Sequence, residues 1–278
     1  MSRWTTRRAT GAGKATLFAM ALGGRSPSTL LAAVLRWRNY RGLAEAFRRY
    51  RSPWSDLRRY ITGSGGYPYR CGIRTPAGVV APTLFSHHDM LTVHEVFCRR
   101  VYPIDPDAAV IVDVGANIGI SALYFLTEAR HSRCHLFEAN PTLIGRLRDN
   151  VDAFSSRVIV NELALATFDG MAEFGLEETG RYGGIGVAAP ATIEVPCRSA
   201  ARALGEVLAA EGEIDLLKLD VEGIEIELLR SLPAAVLDRI RAIHIETNSP
   251  HNPLPGSFEM KREGLVSSLL KPGPDGKD

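Results

Sequence analysis

Val110-Ile111-Val112-Asp113-Val114-Gly115-Ala116-Asn117-Ile118-Gly119 decides the fold of this chain. Val110 to Val114 is a short run of apolar β-branched residues broken only by Asp113, the pattern of a strand covered on both faces of a parallel sheet. Gly115 permits a tight turn and lets a ligand approach the backbone, and Gly119 allows the start of the following helix to pack closely on the strand. A strand–turn–helix junction of this kind opens a ligand crevice at the carboxyl edge of a sheet. It departs from the G-x-G-x-x-G pattern, and Asp113 places a negative charge beside the turn, which suits a cationic ligand better than a pyrophosphate.

Downstream, strand and helix patterns alternate, the mark of a mainly parallel sheet with crossover helices. Helices are expected at 118–127, 141–153, 199–210 and 225–232, and strands at 134–138, 158–165, 214–220 and 240–246. Two further strands, 171–177 and 192–197, flank a glycine-rich loop at 180–186. The tail beyond Pro250 holds at most one helix, near 258–270, and no strand.

Carboxylates gather where these strands end. Glu138 follows Asp113 by 25 positions and closes the second strand, where it can accept hydrogen bonds from both hydroxyls of a ribose. In Lys218-Leu219-Asp220-Val221-Glu222-Gly223-Ile224-Glu225, alternation puts Lys218, Asp220 and Glu222 on one face. Asp220 and Glu222 therefore point at reacting groups, whereas Glu225 suits a helix N-terminus. Ile243-His244-Ile245-Glu246 delivers Glu246 to the same rim, with His244 read as a structural histidine. No DxD-like spacing marks a metal site, and none is expected.

The chain has 278 residues and a net charge of +2, enough for one α/β core with an extension. That small charge conceals an asymmetry, because residues 1–74 carry +13 and residues 75–278 carry −11. Four widely spaced cysteines, Cys71, Cys98, Cys134 and Cys197, form no CxxC pair and suit a reducing cytoplasm. The apolar run at 17–22 is too short for a secretory core or a span. Residues 28–50 read as an amphipathic basic helix or helix pair that packs on the core or lies on an anionic bilayer at the inner face of the membrane. Three tryptophans stand among the basic residues of this arm, but no nucleic-acid reading module is present, so no nucleic-acid partner is expected. The expected organisation is a basic helical extension at 1–68, short strands and a helix at 69–104, the catalytic core at 105–250 and a tail at 251–278.

Three motifs in order, 111–119, Phe137-Glu138-Ala139-Asn140-Pro141 and 217–225, resemble the FkbM-type methyltransferase family, with similarity from about Ile73 to Glu246 that includes Asp89 and Glu95. The resemblance implies a Rossmann-like class I methyltransferase sheet, helices on both faces, and S-adenosylmethionine as cofactor. The ammonium and sulfonium of that molecule match the sign of Asp113. Carried over, Asp113, Gly115, Ala116, Asn117 and Gly119 hold its methionine part, Glu138 its ribose, and the backbone from Glu162 to Ala164 its adenine, while Asp220 and Glu222 lie near the transferring methyl. The implied reaction is O-methylation of a sugar, glycan or polyketide-type small molecule, with Asp220 as first candidate base, then Glu222 or Glu246. The sequence departs from the family at Ser199–Arg202, where a Leu-Asp pair is common, and at the C-terminus, where the usual antiparallel strand pair is expected to be missing. Rival readings are an NAD-dependent oxidoreductase, which Asp113 opposes, and a non-catalytic, membrane- or partner-associated binding protein.

Overall fold

The computed structural model describes residues 37–176, 183–187, 189–221, 223–247 and 249–272. The leader at 1–27, most of the apolar spacing at 28–36, part of the glycine-rich loop, Glu222 and the last six residues lie outside the described residues. Two helices, α1 (Trp37–Arg49) and α2 (Pro53–Thr62), precede four short strands, β1 (Tyr69–Arg70), β2 (Ile73–Thr75), β3 (Gly78–Val80) and β4 (Thr83–Leu84). Helix α3 (His87–Val93) follows, started by a reciprocal capping box between Ser86 and Asp89 and continued as a π-turn over His94–Arg99. The helix expected within 69–104 is thus a helix and a wider turn, which ends with Arg100 in a left-handed conformation.

The core runs β5 (Val110–Val114), α4 (Ile120–Glu128), β6 (Arg133–Phe137), α5 (Pro141–Val151), β7 (Val158–Asn161), β8 (Ala164–Ala166), β9 (Gly170–Leu176), β10 (Gly183–Ile185), β11 (Ala191–Ser199), α6 (Ala200–Glu211), β12 (Ile214–Leu219), α7 (Glu225–Ser231), α8 (Ala234–Leu237), β13 (Ile240–Glu246), β14 (Glu259–Glu263) and β15 (Val266–Leu270). Seven strands form the main sheet in the order β14-β15-β13-β12-β5-β6-β7. Strands β13, β12, β5, β6 and β7 are mutually parallel, and β15 is antiparallel to both β13 and β14. This is a Rossmann-like sheet closed at one edge by an antiparallel strand pair, the architecture that the resemblance implies.

Strand β5 sits at its centre with all five residues buried. Alternation sends Ile111 into one layer, with α4, α5 and the N-terminal helices, and Val110, Val112 and Val114 into the other, with α6, α7 and β13. The first layer includes Ala46, Tyr50, Leu57, Met90 and Phe97, so the N-terminal helices are packed into the core. Arg49 and Arg100 clamp them there through Glu128, at 2.7 and 2.9 Å.

Two expectations are corrected. The strand expected at 158–165 is split: β7 belongs to the main sheet, and β8 crosses to a second sheet ordered β10-β9-β11-β8. The C-terminal strand pair expected to be missing is present as β14 and β15, in place of the expected helix at 258–270. Their two-residue connection uses Gly264 at φ 71°, a backbone that favours glycine in hairpin turns. The main sheet therefore continues well past the expected core boundary at 250. Leu269 on β15 is fully buried against the α6, α7 and β13 layer. Truncation to Leu269→Ala is expected to destabilise the protein by about 2–5 kcal/mol in urea unfolding, and an unchanged midpoint would show that the hairpin is not docked.

Candidate functional site

A cavity opens at the carboxyl ends of β5, β6, β12 and β13. One wall is the turn after β5, with Gly115, Ala116, Asn117 and Ile118, and the next is the segment Glu138–Asn140. Leu163, Ala164, Leu165, Phe174 and Gly183–Ile185 of the second sheet form an apolar side. The opposite side carries Asp89, Thr92, Glu95 and Tyr102, and Lys218, Asp220 and Glu246 complete it.

The turn is shaped by close approaches. Gly115 has φ 75°, and a Cβ there would lie 1.9 Å from the carbonyl oxygen of Asp220, so no side chain is tolerated where β5 and β12 converge. The N–H groups of Gly115 and Ala116 both donate to the Phe137 carbonyl, at 3.0 and 3.1 Å. Asn117 is left-handed at φ 51°, and its Oδ1 accepts from the N–H of Ile118 at 2.8 Å, the local bond that lets asparagine visit this region. Gly119 lies under helix α5, where a Cβ would meet Leu147 at 2.7 Å and Val151 at 3.1 Å. Its packing role is helix on helix, not helix on strand as expected.

Asp113 does not line the cavity. Its carboxylate is fully buried, with Oδ1 3.0 Å from Lys218 Nζ and Oδ2 accepting from the Ser121 hydroxyl at 2.5 Å. The expected direct contact to a cationic ligand is corrected accordingly, because the positive partner is already supplied by the chain. Lys218 Nζ also lies 3.3 Å from Asp220 Oδ2 and 5.6 Å from the Tyr102 ring centre, close enough for a cation–π contact. Burial alone would favour the neutral amine, but Asp113 and Asp220 outweigh it and raise the Lys218 pKa above its ordinary value.

Glu138 is buried at the foot of the second wall. Its Oε2 accepts from the N–H of Asn117 at 2.8 Å, and its Oε1 from those of Ala139 and Asn140 at 3.0 and 2.9 Å. Burial raises its pKa, while the N–H groups of Asn140, Asn117 and Ala139 and the charge of Lys218 oppose the rise. With about four lone-pair positions on a carboxylate, these three bonds leave one on Oε2. Two hydroxyls, as expected from the sequence, would exceed that remaining capacity.

Glu246 is half-buried, and its Oε1 accepts from the Tyr102 hydroxyl at 2.6 Å. Burial, followed by the Asp220 charge, raises its pKa, and the Tyr102 bond and Lys218 only partly offset this. Asp220 and Glu246 thus face the cavity together, whereas Glu222 lies outside the described residues. Ala164 lines the cavity, but Glu162 turns outward to Arg148, 2.5 Å away. Glu225 accepts from the N–H groups of Val221 and Gly223, as a helix-start acid should. His244 donates from Nε2 to the Pro103 carbonyl at 2.7 Å, and its Nδ1 faces the Ser268 hydroxyl at 3.0 Å. Burial lowers its pKa to about 4, so it is a neutral structural group.

Tyr102 and Phe174 carried no sequence signal as site residues, since the first follows a π-turn and the second sits on a separate sheet. Lys218 did carry one: alternation in Lys218-Leu219-Asp220 puts its side chain on the face of Asp220.

A family model described as the methyltransferase FkbM domain matches residues 113–262. The chain is 28% identical over 239 residues to the AMB antimetabolite synthetase AmbE of Pseudomonas aeruginosa, a match covering 71% of this chain and 11% of that protein. It is 29% identical over 165 residues to the hexuronic acid methyltransferase AglP of Haloferax volcanii, covering 58% of this chain and 65% of that one. The chain therefore spans less than two thirds of the length of either relative. Among solved structures, the methyltransferase FkbM from Methylobacillus flagellatus matches at a TM-score of 0.45 and 12% identity, over 84% of this chain and 59% of that chain.

Replacing Lys218 by methionine strands Asp113 as a buried charge with only Ser121 beside it. Lys218→Met is expected to cost about 3–5 kcal/mol in denaturant unfolding, with part of the loss recovered by adding Asp113→Asn. A single variant as stable as the parent would contradict the pairing.

Proposed function

The chain belongs to the methyltransferase FkbM family, and from that premise we propose that it is an S-adenosylmethionine-dependent O-methyltransferase acting on a hydroxyl of a sugar, glycan or polyketide-type small molecule. The observation that carries this reading is the convergence of Glu138, Asp220 and Glu246 on one cavity at the carboxyl edge of the sheet. Its walls fit that molecule chemically. Leu163, Leu165, Phe174 and Ile185 offer apolar surface for a flat purine, Glu138 keeps one acceptor position for a ribose hydroxyl, and Asp220 presents negative charge toward the methionine ammonium. The approach of Gly115 to Asp220 keeps that corner narrow enough for backbone contact. Gly115, Ala116, Asn117 and Ala164 border the donor in this reading, while Asp113 and Gly119 act from behind, through Lys218 and α5.

Bound S-adenosylmethionine supplies a methyl group activated by its positive sulfur. The protein has to align an acceptor oxygen with that carbon and remove the hydroxyl proton. Glu246 is the preferred base over Asp220, the first candidate from sequence. Its raised pKa makes it the more willing proton acceptor near neutrality, and the Tyr102 hydroxyl fixes its orientation. Asp220 is held by the Lys218 ammonium instead, which suits a residue that positions charge. As the acceptor oxygen bonds to the methyl carbon, the carbon–sulfur bond would break with its electron pair leaving on sulfur as a neutral thioether, and the hydroxyl proton would pass to the Glu246 carboxylate.

Charge also narrows the acceptor. Among the described residues lining the cavity, the acids Asp89, Glu138, Asp220 and Glu246 outnumber one cation, Lys218, which is already paired. An acidic sugar of the kind named for AglP would meet like charge here, so a neutral or amine-bearing acceptor is favoured. The catalytic unit is taken as residues 105–270, with 69–104 supplying one side of the acceptor space. Four buried free thiols support a reducing, cytoplasmic setting.

Methyl transfer from labelled donor to neutral, amino and uronic acid glycosides tests the reading. Neutral or amino acceptors are expected to be methylated at least about tenfold faster than the acid, and no transfer to any hydroxyl acceptor would contradict it. Glu246→Gln is expected to lower kcat by about 10² to 10⁴ with little change in donor affinity. The parent rate should rise with pH along a limb displaced above the usual glutamate range, because only the deprotonated carboxylate accepts a proton. That limb should vanish in the variant.

A further inference from the structure

Helices α1 and α2 have an outer face that the core does not use. Their inner residues Ala46, Tyr50, Asp56 and Leu57 are buried. On the outside, Leu43 and Phe47 stand four residues apart on α1, and Trp54 and Ile61 seven apart on α2, so each pair shares one helix face. These side chains are 41%, 38%, 78% and 44% exposed. Phe47 and Trp54 meet edge to face with ring centres 4.9 Å apart, which joins the two helix faces into one apolar patch. Of the two placements that the apolar spacing of this helix allows, on the core or on a bilayer, Leu43 and Phe47 are turned away from the core.

Charge identifies what this patch fits. Arg48, Arg51 and Arg58 are exposed around it, and Arg58 falls between Trp54 and Ile61 on the same helix face. Of the acids of this segment, Asp56 is buried beneath Tyr69 and Glu45 pairs with Arg48 and Arg49, so Arg51 and Arg58 leave the patch with a net positive charge. Residues 37–74 carry nine arginines against only Glu45 and Asp56, while residues 75–278 carry −11, an imbalance that draws this segment rather than the body toward a negative surface. Exposed tryptophan and phenylalanine ringed by arginine is the composition that seats in the headgroup layer of a bilayer. No helix among the described residues is long and apolar enough to cross a membrane.

We propose that the outer face of α1 and α2, centred on Phe47 and Trp54, docks peripherally on an anionic phospholipid surface. The inference stands apart from the catalytic reading, since none of these residues lines the cavity. Flotation of the full chain with vesicles of phosphatidylcholine alone, or of phosphatidylcholine with phosphatidylglycerol, tests it. Binding is expected only to the anionic vesicles, and should fall steeply as salt screens the arginines. Arg58→Gln should weaken binding roughly fivefold, and the double variant Phe47→Ala, Trp54→Ala at least about tenfold, with an unchanged thermal midpoint because both rings are exposed. The proposal is overturned if the parent binds neither kind of vesicle, binds both equally, or binds as tightly after the double substitution. A dimer in size-exclusion chromatography that the double substitution dissolves, without vesicle binding, would assign the patch to a second copy instead.

Discussion

The site depends on one buried cation. Lys218 lies directly opposite Asp113 where β12 pairs with β5, and its ammonium bridges the Asp113 and Asp220 carboxylates. Burying an ammonium is costly, and only close partners of opposite sign repay it. The arrangement is therefore all or nothing: Asp113 neutralises Lys218 from within the sheet, and Lys218 in turn orients Asp220 at the cavity rim. The carboxylate that lines the cavity is Asp220, one layer outward from the buried carboxylate that the motif suggests.

The same logic orders the rest of the cavity. Glu138 ties the turn after β5 to the start of α5 through three backbone N–H groups, so it builds the wall before it can contact a ligand. Glu246 is steered by Tyr102, which enters from the segment before the core. The N-terminal helices pack on their inner side into the same core layer as the residues around Tyr102. Their outer side exposes Arg48, Arg51 and Arg58.

How much of this could be read from sequence follows from how local each feature is. The central strand is legible because burial on both faces demands a short apolar run, here interrupted only by Asp113, and β13 is legible from the apolar residues at its first position and around His244. The turn glycines are legible because no other residue fits their backbone. Strand β14, read as Glu-Met-Lys-Arg-Glu, is an edge strand with mostly exposed side chains, and β15 buries two serines, so neither shows an apolar signature. The break between β7 and β8 is invisible because both halves are apolar and only tertiary pairing separates them. The role of Asp113 could not be assigned because its partner stands 105 residues downstream. Alternation correctly grouped Lys218 with Asp220, but the consequence, a carboxylate already satisfied, required the register of β5 against β12.

The central claim is that the acids at the carboxyl edge of this sheet cup a positively charged sulfonium nucleoside. Isothermal calorimetry of the intact chain with S-adenosylmethionine, its demethylated product and NAD tests it most directly. The account predicts saturable heat with the first two and none with NAD. A folded protein that gives no heat with the sulfonium compound or its product, or that binds NAD in their place, would contradict it.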